Sequence, residues 1–130
     1  IYVSLSEKLL FKSGSTTIDK KGKEAIGLLA DVLKKNKDID IQIEGHTDNV
    51  PYNGSGVIKD NWDLSVLRAT SIVRILVDDN SVDAKRITAS GRGEYFPVSA
   101  NDSKEGKAKN RRIEIVLSPK LDELLDIIGD

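Results

Sequence analysis

The sequence predicts an α+β fold: a two-layer sandwich of β-α-β-α-β-(α)-β order, with helices packed on one face of a small mixed sheet. Three observations carry this. Ile39, Ile41 and Ile43 alternate with Asp40, Gln42 and Glu44 over one strand length, and Ile113, Ile115 and Leu117 alternate in the same way with Arg112, Glu114 and Val116. Two stretches, about 18–35 and 61–76, instead repeat their apolar residues at three and four spacing, the period of a helix with one buried face. Helices placed between strands in this way imply crossover connections over a sheet.

A chain of 130 residues fits one domain, here with a core over about 10–117 and a C-terminal tail over 119–129; a domain of that size buries roughly two thirds of its unfolded surface. The 20 Lys and Arg nearly cancel the 21 Asp and Glu, and the net charge of -1 supplies no global field for nucleic acid. Absence of cysteine excludes disulfides and thiolate metal sites. No apolar run approaches the roughly 20 residues that cross a bilayer, and Ile1-Tyr2-Val3-Ser4 lacks the basic and apolar regions of a signal peptide. The chain opens inside an apparent strand and contains no Met, which reads as a domain excised from a larger protein.

In order, Ile1, Val3 and Leu5 alternate weakly as a first strand, and Leu9-Leu10-Phe11 leads to a break at Ser13-Gly14-Ser15. The helix that follows has Ala25, Ile26, Leu28, Leu29, Val32 and Leu33 as its expected buried stripe. Asp19 near its start and Lys34 and Lys35 near its end suit the helix dipole. After the turn Asn36-Lys37-Asp38 comes the clearest strand, which Gly45 is expected to end by permitting a tight turn. His46, Thr47 and Asp48 then lie on its exit loop, beyond a strand's carboxyl end, where ligands sit in open sheets.

Residues 50–60, with Pro51, Gly54 and Gly56, read as a loop, and the next helix begins near Asn61 as N-cap, with Asp63 in its first turn. Val66, Ala69, Val73 and Leu76 form its expected buried stripe. Asn61, Leu64 and Arg68, spaced by three and then four, share a neighbouring stripe that faces the loop of Asp48. A third strand is expected over 86–91, a turn over 93–97, one or two helical turns between 99 and 109, and then the fourth strand. Leu121, Leu124, Leu125 and Ile128 mark an amphipathic tail that caps the core or meets a partner, such as a second copy in a homodimer.

Asp48 and Arg68 are the residues with chemistry to offer. One acid and one guanidinium set side by side can grip a zwitterion, and the fork of an arginine can bond both oxygens of a carboxylate where a lysine cannot. The plainer reading is a structural ion pair, which on a surface contributes only roughly 0 to 1 kcal/mol. Thr47 either bonds a ligand or closes the turn. His46, the only histidine, reads as a structural donor in that turn, and the strand's alternation is read as keeping Glu44 away from it. Gly91-Arg92-Gly93 lacks the third glycine of a phosphate loop and reads as a turn. Lys104, Lys107, Lys109, Arg111 and Arg112 form a basic run without aromatics, a solvated surface or an attractor of anionic polymer.

Four strings in order resemble a known family: Gly45-His46-Thr47-Asp48-Asn49, then Asn61-x-x-Leu64-Ser65-x-x-Arg68-Ala69, then Gly91-x-Gly93-x-x-x-Pro97-Val98, then Asn110-Arg111-Arg112-Ile113-Glu114-Ile115. They are similar to the OmpA C-terminal-like domain, and Asn49-Val50-Pro51-Tyr52 with Asn61-Trp62-Asp63-Leu64-Ser65 looks most like its flagellar stator branch. The resemblance implies a periplasmic, noncatalytic module without cofactor that binds peptidoglycan through the diaminopimelate of the stem peptide and tethers a larger envelope protein. It implies that Asp48 takes the ammonium and Arg68 the carboxylate, that Thr47, Asn61 and Leu64 assist, and that Asn110 and Arg111 lie close to the cleft. Asp48 and Arg68 are expected at the cleft rather than in the core, so that replacing either with Ala removes binding and leaves the fold intact.

Two alternatives come from other classes. A cell-wall hydrolase would use Asp48 and His46 as an acid-base pair or metal ligands, but the sequence supplies no second histidine, no cysteine and no nucleophile motif. A pure protein-interaction module would use the tail as its dimer contact.

Overall fold

A computed structural model describes residues 1–54, 56–119 and 128–129. Strand β1 (Tyr2–Ser6) leads into a single helical turn, α1 (Glu7–Leu10), followed by α2 (Lys20–Lys35), β2 (Ile39–His46) and α3 (Asn61–Arg74). Then come β3 (Ile87–Gly91), α4 (Lys104–Asn110) and β4 (Arg112–Pro119). A π-helical turn, Ile75–Asp79, continues α3, and a 3-10 turn, Ala84–Arg86, precedes β3.

The strands form one sheet in the order β1-β4-β2-β3, with β4 antiparallel to both its neighbours and β2 parallel to β3. The last strand is therefore inserted between β1 and β2, which run in the same direction. Ser6 at the end of β1 and His46 at the end of β2 both pair with Arg112 at the start of β4. That register brings two strand exits and one strand entrance to the same edge, and it decides where the site lies.

Ile41 and Ile43 of β2 and Ile113 and Ile115 of β4 point to the helical layer, where Ile26, Ala30 and Leu33 of α2 and Ala69 and Ile72 of α3 complete a buried core. Each large apolar side chain buried there contributes about 1.5–3 kcal/mol. The helices are rotated from the expected phase. Leu28 and Val32 are exposed, while Gly22 and Ala30 turn inward against close neighbours. In α3 the buried face runs through Leu64, Ser65, Arg68, Ala69 and Ile72, and Val66 is exposed.

The helix ends follow capping chemistry. Asp19 caps α2 by accepting from the Gly22 N–H at 3.0 Å. Asp60, not Asn61, caps α3, accepting from the Asp63 N–H at 3.0 Å, so Asn61 is the first helical residue and its amide is left for other work. Arg86 sits just before β3 and closes the other end of α2, donating to the carbonyls of Leu33, Asn36 and Ile39.

Gly45 does not end β2, which runs through it to His46. The glycine is required by a close approach: a Cβ there would stand 2.1 Å from the Ser65 carbonyl oxygen of α3. Its partner in the parallel ladder, Gly91, is under the same constraint, with a Cβ falling 2.5 Å from Ser65 Oγ. Two glycines in register thus let the first turns of α3 lie directly on the sheet. Among the described residues no helix is long and apolar enough to cross a membrane. The expected tail of Leu121, Leu124 and Leu125 lies outside the described residues.

Candidate functional site

Because β1 and β2 exit where β4 enters, Glu7, Asp48 and Arg111 emerge together, and α3, pressed onto the sheet at Gly45, delivers Arg68 beside them. The four charges form an alternating row. Arg68 Nη1 donates to Glu7 Oε2 at 2.7 Å, Arg111 Nε donates to Glu7 Oε1 at 3.2 Å, and Arg111 Nη1 donates to Asp48 Oδ2 at 2.7 Å. The row lies in a cleft of about 400 Å³ whose walls also include Thr47, Tyr52, Asn61, Leu64 and Lys104.

Local hydrogen bonds aim each side chain. Asp48 Oδ1 accepts from the Val50 N–H at 3.0 Å, an Asx-type turn that leaves Oδ2 toward the cleft. Thr47 donates from Oγ1 to the Asp48 carbonyl at 2.8 Å, and its N–H bonds the Gly93 carbonyl at 2.9 Å. The turn at Gly91-Arg92-Gly93 therefore anchors the acidic loop. Asn61 Nδ2 donates to the Val50 carbonyl at 3.0 Å and, more weakly, to that of Asp48 at 3.4 Å. Leu64, nearly fully buried, is an apolar wall.

Arg68 is held more deeply than a surface charge. Its side chain is 4% exposed, its Nε donates to the Ser15 carbonyl at 2.8 Å, and the guanidinium lies 4.8 Å from the centroid of the Phe11 ring. Its Nη2 is buried with no hydrogen-bond partner among the described residues. Arg111 is more open. Burial works against its charge, but the hydrogen bond to Asp48 and the fields of Glu7 and Asp48 outweigh it and raise its pKa. It stays a cation at any physiological pH.

The expected pair of Asp48 and Arg68 is thus a row of four, in which each takes a different partner. Glu7 stands between the two arginines and was not anticipated. The strand-exit argument that singles out Asp48 applies equally to Glu7 once β1 is seen to run parallel to β2, but strand order is set by the insertion of β4, a long-range event with no local signature. Of the other expected residues, Thr47, Asn61, Leu64 and Arg111 all reach the cleft.

Asn110 requires correction, because it is not among the residues lining the cleft. It is fully buried, and its amide is used up by the loop before α4: Oδ1 accepts from the N–H groups of Val98 and Ser99, and Nδ2 donates to the Ser99 carbonyl and to Asn101 Oδ1. It shapes the entry to Arg111 rather than facing a ligand.

His46 lies on the opposite face of the sheet. Residues two apart on a strand share a face, so the expected separation of Glu44 from His46 is also corrected: His46 Nε2 lies 2.8 Å from Glu44 Oε1 and 3.7 Å from Glu114 Oε2. Glu44 and Glu114 are direct cross-strand partners, and the three side chains hold ligand atoms within 4.8 Å of one another. Two arginines balance the like charges, with Arg112 Nε 2.8 Å from Glu114 and Arg92 Nε 3.4 Å from Glu44. Burial, then Arg112, lowers the His46 pKa against the pull of both glutamates. The ring is not brought to Asp48.

A two-layer domain with an open mixed sheet and a charge-lined cleft at one strand edge is the class these features define. The chain belongs to the OmpA family, whose model matches residues 10–111. It is 37% identical over 120 residues to motility protein B of Bacillus subtilis, covering 92% of this chain and 46% of that protein. It is 37% identical over 95 residues to the peptidoglycan-binding protein ArfA of Mycobacterium bovis, covering 73% of this chain and 27% of that one. Among solved structures, the periplasmic domain of Helicobacter pylori MotB superposes with a TM-score of 0.86 at 28% identity, covering 98% of this chain and 82% of that one. The cell wall anchor of the T6SS from Pseudomonas aeruginosa gives 0.83 at 34% identity, covering 92% and 81%. The chain spans about half the length of the first curated relatives it matches, at 46%, 52% and 48%.

Proposed function

We propose that this chain is a noncatalytic module that binds peptidoglycan through the diaminopimelate of the stem peptide, and so tethers a larger protein to the cell wall from the periplasm. The observation that carries the reading is the alternating row Arg68, Glu7, Arg111, Asp48 in one concave cleft. An amino-acid head group carries an ammonium and a carboxylate on the same carbon, and such a row offers a site of each sign to both. The carboxylate takes the place that Glu7 holds on Arg68, with Arg111 as a second donor, and the ammonium meets Asp48. Thr47 and Asn61 hold the acid in place, and Leu64 supplies an apolar surface for the methylenes of the ligand. A relative named for peptidoglycan binding and a structural neighbour named as a cell wall anchor support the same reading.

The hydrolase reading loses its pair, since His46 is engaged by Glu44 on the far face of the sheet. The test is specificity. A lysine-type stem offers the ammonium but no carboxylate at that carbon, leaving a desolvated arginine without its partner, a defect of about 1–3 kcal/mol or about tenfold or more in affinity. Titration with diaminopimelate and with lysine should show that preference, and equal affinities would sink the proposal.

A further inference from the structure

Beside the charged cleft lies a second concavity, of about 470 Å³, that the stem-peptide reading leaves unused. Its centre is aromatic. Trp62, in the first turn of α3, stacks on Tyr95 with ring centroids 5.1 Å apart and an interplanar angle of 29°, and the two remain 49% and 59% exposed. Ring pairs of this size are usually driven inward, since each buries 150–250 Å² when covered. Here they are held at the surface by rigid neighbours. Trp62 is fixed on a helix pinned to the sheet at Gly45, and the Gly93 turn beneath it brings its backbone to the indole. Around the rings stand Asn53, Lys59, Asp60 and Glu94, so the rim is polar and carries both signs of charge.

That combination selects among ligands. A purely apolar partner would leave the charged rim desolvated and unpaired, and a strongly anionic one would meet the two carboxylates of Asp60 and Glu94 against the one ammonium of Lys59. A pyranose ring suits both parts: one face presents C–H groups of slight positive charge to the negative face of an aromatic ring, while hydroxyl and amide groups at its edge reach the surrounding donors and acceptors. The concavity adjoins the charged cleft, with Pro51, Tyr52 and Asn61 lining both. A few extended residues of peptide span about 10 Å, so a sugar and a side chain further along its stem can engage neighbouring sites.

We infer that Trp62 and Tyr95 form a carbohydrate subsite for an amino-sugar of the glycan strand from which the bound stem peptide hangs. The inference rests on the stem-peptide reading for the identity of the sugar, not for the existence of the platform. It also gives Pro51 and Tyr52 a role: with the Tyr52 hydroxyl on the Gly14 carbonyl and Asn61 holding the Val50 carbonyl, they line both subsites.

The experiment titrates the chain and its Trp62→Ala and Tyr95→Ala variants with two probes: a glycan-free stem peptide containing diaminopimelate, and the same peptide still carrying its amino-sugar disaccharide. The parent chain should bind the disaccharide peptide about tenfold more tightly than the bare one. Both variants should lose that advantage and bind the bare peptide as the parent does, and Trp62→Phe should restore part of it. Equal affinity of the parent for the two probes overturns the inference, as does a variant that weakens both probes alike. If the bare peptide fails to bind but the disaccharide peptide binds in a Trp62-dependent way, the stem-peptide reading falls and the sugar subsite stands. Failure of both probes overturns both.

Discussion

Glu7 Oε2 stands 2.7 Å from Arg68 Nη1, so the arginine expected to receive a ligand's carboxylate already holds one from its own chain. Both side chains are largely withdrawn from solvent, at 14% and 4% exposure. The pairing satisfies a buried guanidinium whose unpaired charge would be costly, and it also means that an incoming carboxylate competes with Glu7. Glu7→Gln keeps the shape and a hydrogen bond but removes the charge. It should lower the stability by about 2–3 kcal/mol and tighten diaminopimelate binding several-fold. Urea denaturation and calorimetric titration measure the two effects. An affinity that falls instead would assign Glu7 to the ligand's ammonium.

The depth of Arg68 changes how its role is tested. Arg68 lines the cleft as expected, but an alanine variant that keeps the fold does not fit a side chain that ties down Ser15, Glu7 and the Phe11 ring at once. Arg68→Lys keeps the cation and most of the volume while losing the two-pronged geometry. It should reduce retention on purified sacculi about tenfold or more with a far smaller loss of stability than Arg68→Ala. Asp48→Asn should do the same from the other side, since an amide oxygen still accepts from Val50. Retention at the parent level in both variants would make the row a structural ion-pair network.

The strands and long helices were legible because period-two and period-3.6 patterns are local properties of the chain, and Asp48, Thr47, Asn61, Leu64, Arg68 and Arg111 were legible as members of ordered strings. What could not be read depends on distant parts of the chain. Glu7 joins the site only because β4 inserts between β1 and β2. The rotation of α3 that buries Ser65 and exposes Val66 follows from the two glycines beneath it, which belong to different strands. Asn110 sits within the basic string that resembles a binding motif, yet its amide serves a loop whose course the string does not encode.

The glycine platform yields a stability prediction. A Cβ at position 45 would stand 2.1 Å from the Ser65 carbonyl oxygen, a backbone atom in the first turns of a helix that cannot step aside alone. Gly45→Ala should therefore cost about 3 kcal/mol or more, although the backbone conformation of a strand suits alanine well. The displaced α3 would carry Arg68 and Trp62 with it, so binding should fall together with stability. Gly56→Ala provides the contrast: its φ of +83° gives strain, but among the described residues nothing lies within 4 Å of the added methyl, and its cost should be about 1 kcal/mol with binding retained. Equal losses at the two positions, measured by denaturant midpoint, would count against close approach as the reason for Gly45.

His46 gives the fold a pH dependence whose sign follows from its surroundings. Burial and Arg112 hold its pKa below the usual 6.5, even with Glu44 and Glu114 beside it and Arg92 on the far oxygen of Glu44. Between the folded and unfolded pKa values the unfolded chain binds more protons, so the stability that the neutral ring contributes is fully present above about pH 6.5 and is lost as pH falls through the folded value. His46→Gln can keep a hydrogen bond to Glu44 but has nothing to protonate. It should be less stable than the parent near neutrality and change less between about pH 7 and pH 5, a window above the range in which most carboxylates titrate. Denaturant unfolding of both chains at several pH values in that window measures the two slopes. Parallel slopes would mean that the ring is protonated equally in the folded and unfolded chains, and that Glu44 and Glu114 win over burial and Arg112.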